Sequence, residues 1–292
     1  MACLIGSCAS TRTIEMLEAL QFEFMQNALL AGVLTSVACG IIGTLVVVNR
    51  IVFISGGVAH AAYGGVGLAF FLGISPLMGA TGFSLLISAI MAIVTLKNKQ
   101  RADTVVGVLW AVGMAMGIIL IDLSPGYNVD LMSYLFGSIL AVPRSDLVMM
   151  FAVDLIVLLV VTRYYNSFLA MSFDEEFAQA AGVPVRALYF TLLAMTAFVV
   201  VMVIRVVGLI LVIALLSIPP YIAERYSESL RSMMVFSVIL SLLFTLLGLW
   251  FSYLFNLTSG ATIIMVAAAF FFISLVVDRV RARLSRSSPS PV

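Results

Sequence analysis

The chain contains one histidine, His60, set in the glycine-rich run ISGGVAHAAYGGVGLAF. Neutral imidazole is a ligand for borderline metals such as zinc, and it enters a membrane interior without the full cost of burying a charge. The neighbouring glycines at 56, 57, 64, 65 and 67 would weaken a helix in water. In a membrane they let backbones approach closely and let a helix bend or break. His60 therefore fits two roles, a point on a metal path or a packing histidine bonded to a backbone carbonyl. Gly56, Gly57, Gly64 and Gly65 are the matching candidates for flexibility or gating.

One imidazole cannot hold a metal alone, so partners are sought among carboxylates and thiolates. Asp154 falls in the middle of an apolar run (FAVDLIVLLVV), and Asp122 closes another. Ionisable groups at membrane depth cost about 2.5–3.5 kcal/mol on insertion scales and face a partner or a water-filled cavity. Asp154 is expected to face the protein interior, for metal transport or for structure alone. Arg205, between two apolar runs, reads as an outer-interface residue. Cys3, Cys8 and Cys39 are an odd set with no C-x-x-C spacing and indicate neither a disulfide framework nor a zinc site.

A third constellation lies in the longest polar stretch, 163–186. Asp174, Glu175 and Glu176 precede FAQAA, which closes at Gly182 with Pro184 beyond. An acidic first turn and a glycine stop describe a short helix, with Ala178 in its middle. It could be gripped by a partner protein or lie on the membrane as a loop helix. Pro219 and Pro220, inside an apolar run, are expected to break or kink it and to free carbonyls, as happens at paths and gates.

The elements that must position these residues follow from composition. Of 292 residues 63% are apolar and 10% charged, with a mean hydropathy of +1.21. Soluble domains average about 45–50% apolar and about 25% charged, so a water-soluble globule, a disordered chain and a secreted disulfide scaffold are excluded. The net charge of +1 argues against a nucleic-acid partner. Apolar runs at 24–48, 57–73, 77–96, 104–122, 146–162, 187–204, 206–223, 232–254 and 260–277 predict an all-α, polytopic transmembrane helical bundle. It has nine spans, or eight if the weak separation at Arg205 fails.

If the spans alternate and the first ends inside at Arg50, 12 of the 15 basic residues lie inside. The excess of Lys and Arg in cytoplasmic loops then sets the N-terminus outside and the C-terminus inside. Residues 1–23 read as a polar leader without a signal-peptide pattern, 24–278 as the transmembrane domain, and 279–292 as a basic, disordered cytoplasmic tail. Segment 131–143, too short to span, reads as an interfacial or re-entrant helix. The chain has no G-x-x-x-x-G-K-[ST] loop to bind ATP phosphates.

Seven segments, from FMQNALLAGVLTSVACGIIGTLVVVNR through FISGGVAHAAYGGVGLA, RADTVVGVLWAVGMAMGIIL, SYLFGSIL, FDEEFAQAAGVPV and RVVGLILVIALLSIPPYIA to TSGATIIMVAAAFFF, together resemble the permease subunit of the zinc/manganese ABC importers. The resemblance covers nearly the whole chain. It implies a non-enzymatic permease of a prokaryotic cell membrane that carries zinc, manganese or iron as its substrate. It also implies a homodimer, two separate ATPase subunits and an extracytoplasmic metal-binding protein, with no permanently bound cofactor. His60 would lie on the metal path, and Asp174, Glu175, Glu176, Ala178 and Gly182 would form the helix that couples to the ATPase.

One departure stands out. Many family members carry an aspartate four residues before this histidine, and here that position is Gly56. Loss of a hard oxygen ligand beside a retained nitrogen tilts the expected preference from manganese toward zinc. Two rival classes are a secondary transporter, which needs ion-coupling groups at mid-membrane and an internal repeat, and an intramembrane protease. The first has only Asp154, and the second finds no nucleophile motif around any serine.

Overall fold

The computed structural model describes residues 22–97, 102–124, 139 and 142–286, the last six by backbone alone. Every regular element among them is helical: α1 (Glu23–Val48), α2 (Val52–Leu72), α3 (Pro76–Lys97), α4 (Ala102–Asp122), α5 (Arg144–Arg163), α6 (Tyr165–Phe173), α7 (Glu175–Ala180), α8 (Val185–Val207), α9 (Leu209–Tyr226), α10 (Leu230–Phe255) and α11 (Ser259–Arg286). Nine of these are long and apolar enough to cross a membrane, and the protein is a multi-pass membrane protein. Residues 1–21 of the expected leader and almost all of segment 131–143 lie outside the described residues. Helix α11 runs eight residues into the expected tail, where Arg, Ala and Leu extend a helix already nucleated in the bundle.

Backbone conformation explains where four of the long helices among the described residues end. Arg50, Gly73, Gly208 and Asn256 all have positive φ, a conformation that ends a right-handed helix. At Gly208, φ 83° and ψ 166° form a combination reserved almost entirely to glycine. That single residue separates α8 from α9, so the boundary lies at Gly208 rather than at Arg205.

Of the break or kink expected at Pro219–Pro220, the break does not occur. Helix α9 runs unbroken through both prolines, which are buried. Pro220 offers no N–H to the Leu216 carbonyl, and that carbonyl is instead covered by Gly43 of α1, where an added Cβ would lie 2.7 Å from the oxygen. Burial against protein is what makes a freed carbonyl acceptable at this depth.

Helices α1, α2 and α8 are buried over more than two thirds of their central windows, whereas α4, α5 and α11 are buried over less than a quarter. Helix α1 packs against α5, α8, α9 and α10, and α2 packs against α3 and α4. Glycines make the second contact close. A Cβ at Gly65 would lie 2.4 Å from the Gly79 carbonyl oxygen of α3, and one at Gly67 would lie 2.3 Å from that of Gly117 in α4. Without lipid-phase hydrophobic attraction between helices, such close backbone packing is the main adhesive.

Polar contacts identify the two ends of the bundle. Arg144 pairs with Glu23 at 2.7 Å and Arg205 with Asp146 at 3.3 Å, gathering the first turns of α1 and α5 with the last turn of α8. At the opposite end the Asn49 amide donates to the Ser172 hydroxyl at 2.9 Å, tying the end of α1 to α6.

Candidate functional site

Helix α2 runs continuously past His60, which is half-buried. The His60 Nδ1 lies 2.9 Å from the Gly56 carbonyl oxygen one turn earlier. A carbonyl only accepts, so Nδ1 carries the proton and Nε2 presents the lone pair. The backbone bond expected of a packing histidine is present, and it leaves Nε2 as the nitrogen with the lone pair.

The imidazole is held from the other side by Trp110 of α4. The two rings stack with centroids 3.9 Å apart and planes 29° from parallel. The indole N–H donates to the Met114 sulfur at 3.2 Å, and Phe53 lies 6.1 Å from the indole centroid. The His60 ring plane is therefore fixed by a stacked, hydrogen-bonded tryptophan. Sequence reasoning missed Trp110; the one signal available was its rarity, as one of two tryptophans in the chain.

The carboxylates do not join His60. Asp154 faces the interior as expected, at 8% exposure, with one carboxylate oxygen lacking a hydrogen-bond partner. It sits on the face of α5 that meets α1, whereas His60 sits between α2 and α4. Asp122 is exposed at the end of α4, twelve residues beyond Trp110 and so about 18 Å along the helix axis. Among the described residues no three His, Cys, Asp or Glu side chains gather into a metal cluster. Cys39 is buried and free.

The glycines around His60 divide by environment. A Cβ at Gly57 would lie 2.5 Å from Val106, and one at Gly64 would lie 2.7 Å from the Gly113 carbonyl oxygen. At Gly56 the same atom would meet only Ile213, at 3.8 Å. A Cβ therefore fits at Gly56 without a clash, one helical turn before His60, and this chain has none there.

Arg205, in the last turn of α8, is exposed and paired with Asp146, a partner that sequence reasoning did not identify.

At the other end of the bundle, the Asp174 carboxylate accepts from the Phe177 N–H at 2.9 Å and caps α7. Glu175 and Glu176 occupy its first turn and Ala178 is buried. The helix closes as the sequence indicates: Gly182 (φ 82°) donates to the Gln179 carbonyl and Val183 to that of Ala178, the paired bonds of a Schellman stop. Phe173 and Phe177 flank this turn at 76% and 66% exposure. They are exposed aromatic side chains within the stretch 163–186, and sequence reasoning did not single them out. Between α7 and the ends of α1–α4 and α8 lies a cavity of about 470 Å³ of mixed lining, in which Asn49, Arg50, Asp103, Glu175 and Tyr189 are set among apolar side chains such as Ile54 and Met171.

Comparison with known proteins extends these observations to a family. The model of the ABC 3 transport family matches residues 21–278. An uncharacterised membrane protein of Synechocystis is 53% identical over 264 residues, covering 90% of this chain and 94% of that one. The manganese transport system membrane protein MntC of Listeria monocytogenes is 33% identical, over 88% of this chain and 91% of its own. Among solved structures, a chain of PsaBC from Streptococcus pneumoniae, in complex with a Fab, superposes with a TM-score of 0.80 at 33% identity, over 90% of this chain and 95% of that chain.

Proposed function

The chain belongs to the ABC 3 transport family, and from that premise we propose that it is the permease subunit of an ATP-driven importer of a divalent transition metal ion. The observation that carries this reading is the likeness, over nine tenths of the chain, to the PsaBC chain and to a membrane protein named for manganese transport. Two copies form the path, an extracytoplasmic binding protein delivers the ion outside, and two separate ATPase chains bind inside. The N-terminus is outside and the C-terminus inside, in a prokaryotic cell membrane. No nucleotide chemistry is assigned to this chain.

The ion passes His60, whose Nε2 is the ligand and whose ring plane Trp110 holds. Asp154 and Asp122 contribute at most to separate points of the path. Helix α7 is the coupling element: Asp174, Glu175, Glu176, Ala178 and Gly182 shape it, and Phe173 and Phe177 offer the surface that an ATPase grips. Closure of the ATPases moves α7, and through α6 and α8 it moves one group of spans against another. Gly56, Gly57, Gly64, Gly65, Pro219 and Pro220 line the helices that move.

Manganese is the first choice of cargo, from the relative's name. Zinc is the second reading, and Gly56 favours it, because no carboxylate stands one turn before His60 and a nitrogen ligand without a hard oxygen suits zinc better. The test is transport in proteoliposomes that hold the chain with its ATPase and binding protein, with zinc and manganese in competition. ATP-dependent uptake that falls to background in His60→Ala is expected. Uptake driven by an ion gradient without ATP would refute the importer reading in favour of a secondary transporter.

A further inference from the structure

Away from His60, helices α5 and α10 both pack on α1 and leave a groove of about 490 Å³ between them. Its walls are apolar: Ile41 from α1, Leu158 and Val161 from α5, and Met234, Val238 and Ile239 from α10. Its end is polar, lined by Arg231 of α10, Thr162 of α5, and Tyr165 and Asn166 of α6. A second cavity of about 460 Å³ adjoins it, shares Arg231, Val235 and Ile239, and adds Tyr226, Ser227, Ser229 and Ser232.

Arg231 is exposed, and among the described residues it has no carboxylate within ion-pair distance, Glu228 of the same loop included. The Ser227 hydroxyl oxygen beside it is buried without a partner. A cation and hydroxyls at the mouth of an apolar groove call for an occupant with an anionic head and an apolar tail.

We propose that this groove binds an anionic glycerophospholipid, its phosphate at Arg231 and the neighbouring serines, and one acyl chain along Leu158, Val238 and Ile239. The dimensions agree. From Arg231 to Ile239 the helix rises about 12 Å, which fits within the ~15 Å depth of one leaflet's hydrocarbon. Arg231 lies at the end of the bundle that carries α6 and α7, which the orientation proposed above places at the cytoplasmic leaflet, where basic residues meet anionic lipid. Apolar contact alone would leave the guanidinium facing no anion, so charge complementarity selects the lipid.

The test is native mass spectrometry of the purified full chain, titrated with phosphatidylglycerol and phosphatidylcholine of the same acyl length. Wild type retains phosphatidylglycerol about five-fold better, the factor that ~1 kcal/mol per basic residue amounts to. Arg231→Gln loses the preference, Arg231→Lys keeps most of it, and Ile239→Trp lowers retention of both lipids by filling the groove. Size-exclusion profiles confirm that each variant is folded. Equal retention of the two lipids by wild type, or a preference that survives Arg231→Gln, would overturn the proposal. So would competition by inorganic phosphate at the lipid's own concentration, which would make this a site for free anions, or cross-linking of two chains through Ile239→Cys, which would make it a protein interface.

Discussion

Replacing Gly182 by alanine tests the coupling assignment most directly, because its structural effect is confined to one backbone angle. Nothing lies within 4 Å of a Cβ built at Gly182, and φ is +82°. The substitution therefore clashes with no neighbour and strains only the left-handed conformation, at about 1–2 kcal/mol. That strain falls on α7, a six-residue helix too short to persist without its caps. A cost of this size lowers the population of the closed helix end by a factor of about 5–30, while the nine long helices, which do not share the strain, keep their stability. In proteoliposomes with the ATPase and binding protein, Gly182→Ala should therefore transport fewer ions per ATP hydrolysed, with an unchanged unfolding temperature. Gly182→Asn is the control, since asparagine enters the left-handed region more readily, and it should fall between the two. Wild-type transport per ATP in Gly182→Ala would refute the reasoning, as it would show that the exact end of α7 does not carry coupling.

Four further outcomes follow from the same geometry. Gly56→Asp fits without a clash one helical turn before His60, where the added Cβ meets only Ile213 at 3.8 Å, and it should shift uptake in a zinc/manganese competition toward manganese; an unchanged ratio would remove Gly56 from the question of metal choice. Gly67→Ala places a methyl 2.3 Å from the Gly117 carbonyl oxygen and should cost about 1–3 kcal/mol by overpacking, read as a lower unfolding temperature in detergent, whereas Gly82→Ala, with open space around it, should be neutral. Trp110→Ala removes the ring stacked on His60 and should reduce transport with little loss of protein in the membrane, with Trp110→Phe retaining more activity than Trp110→Ala. Arg205→Gln breaks a pair that is 39% exposed on its arginine side, so solvent screening limits the loss of stability to less than about 1 kcal/mol, measured by thermal unfolding.

Much of this architecture was legible because membrane insertion leaves few choices. Apolar length alone located the spans to within a few residues, and the acidic turn and glycine stop of α7 were readable because helix caps are local chemistry. The number of spans was harder. Hydropathy runs through Gly208 without a pause, and only a φ of 83° with a ψ of 166° ends α8 there, a property that glycine permits but does not announce. At the prolines sequence left a break and a kink both open, for the converse reason. The rule that Pro219 and Pro220 interrupt a helix concerns a lost hydrogen bond, and α9 continues because Gly43 of another helix lies over the freed Leu216 carbonyl.

The candidate site divides along the same line. His60 was visible as the one histidine in the sequence, and its tautomer was implicit in a helical carbonyl four residues back. The stack on Trp110 was not visible, since it depends on how closely α2 and α4 approach, and that distance is set by glycines at 64, 67, 113 and 117 acting in pairs across the interface. These glycines therefore act on the site through packing: by bringing the backbones together they place an indole against the imidazole and fix the direction of Nε2. A substitution at Gly117, which contacts no ion, should on this argument move the His60 ring as surely as a change at Trp110 itself.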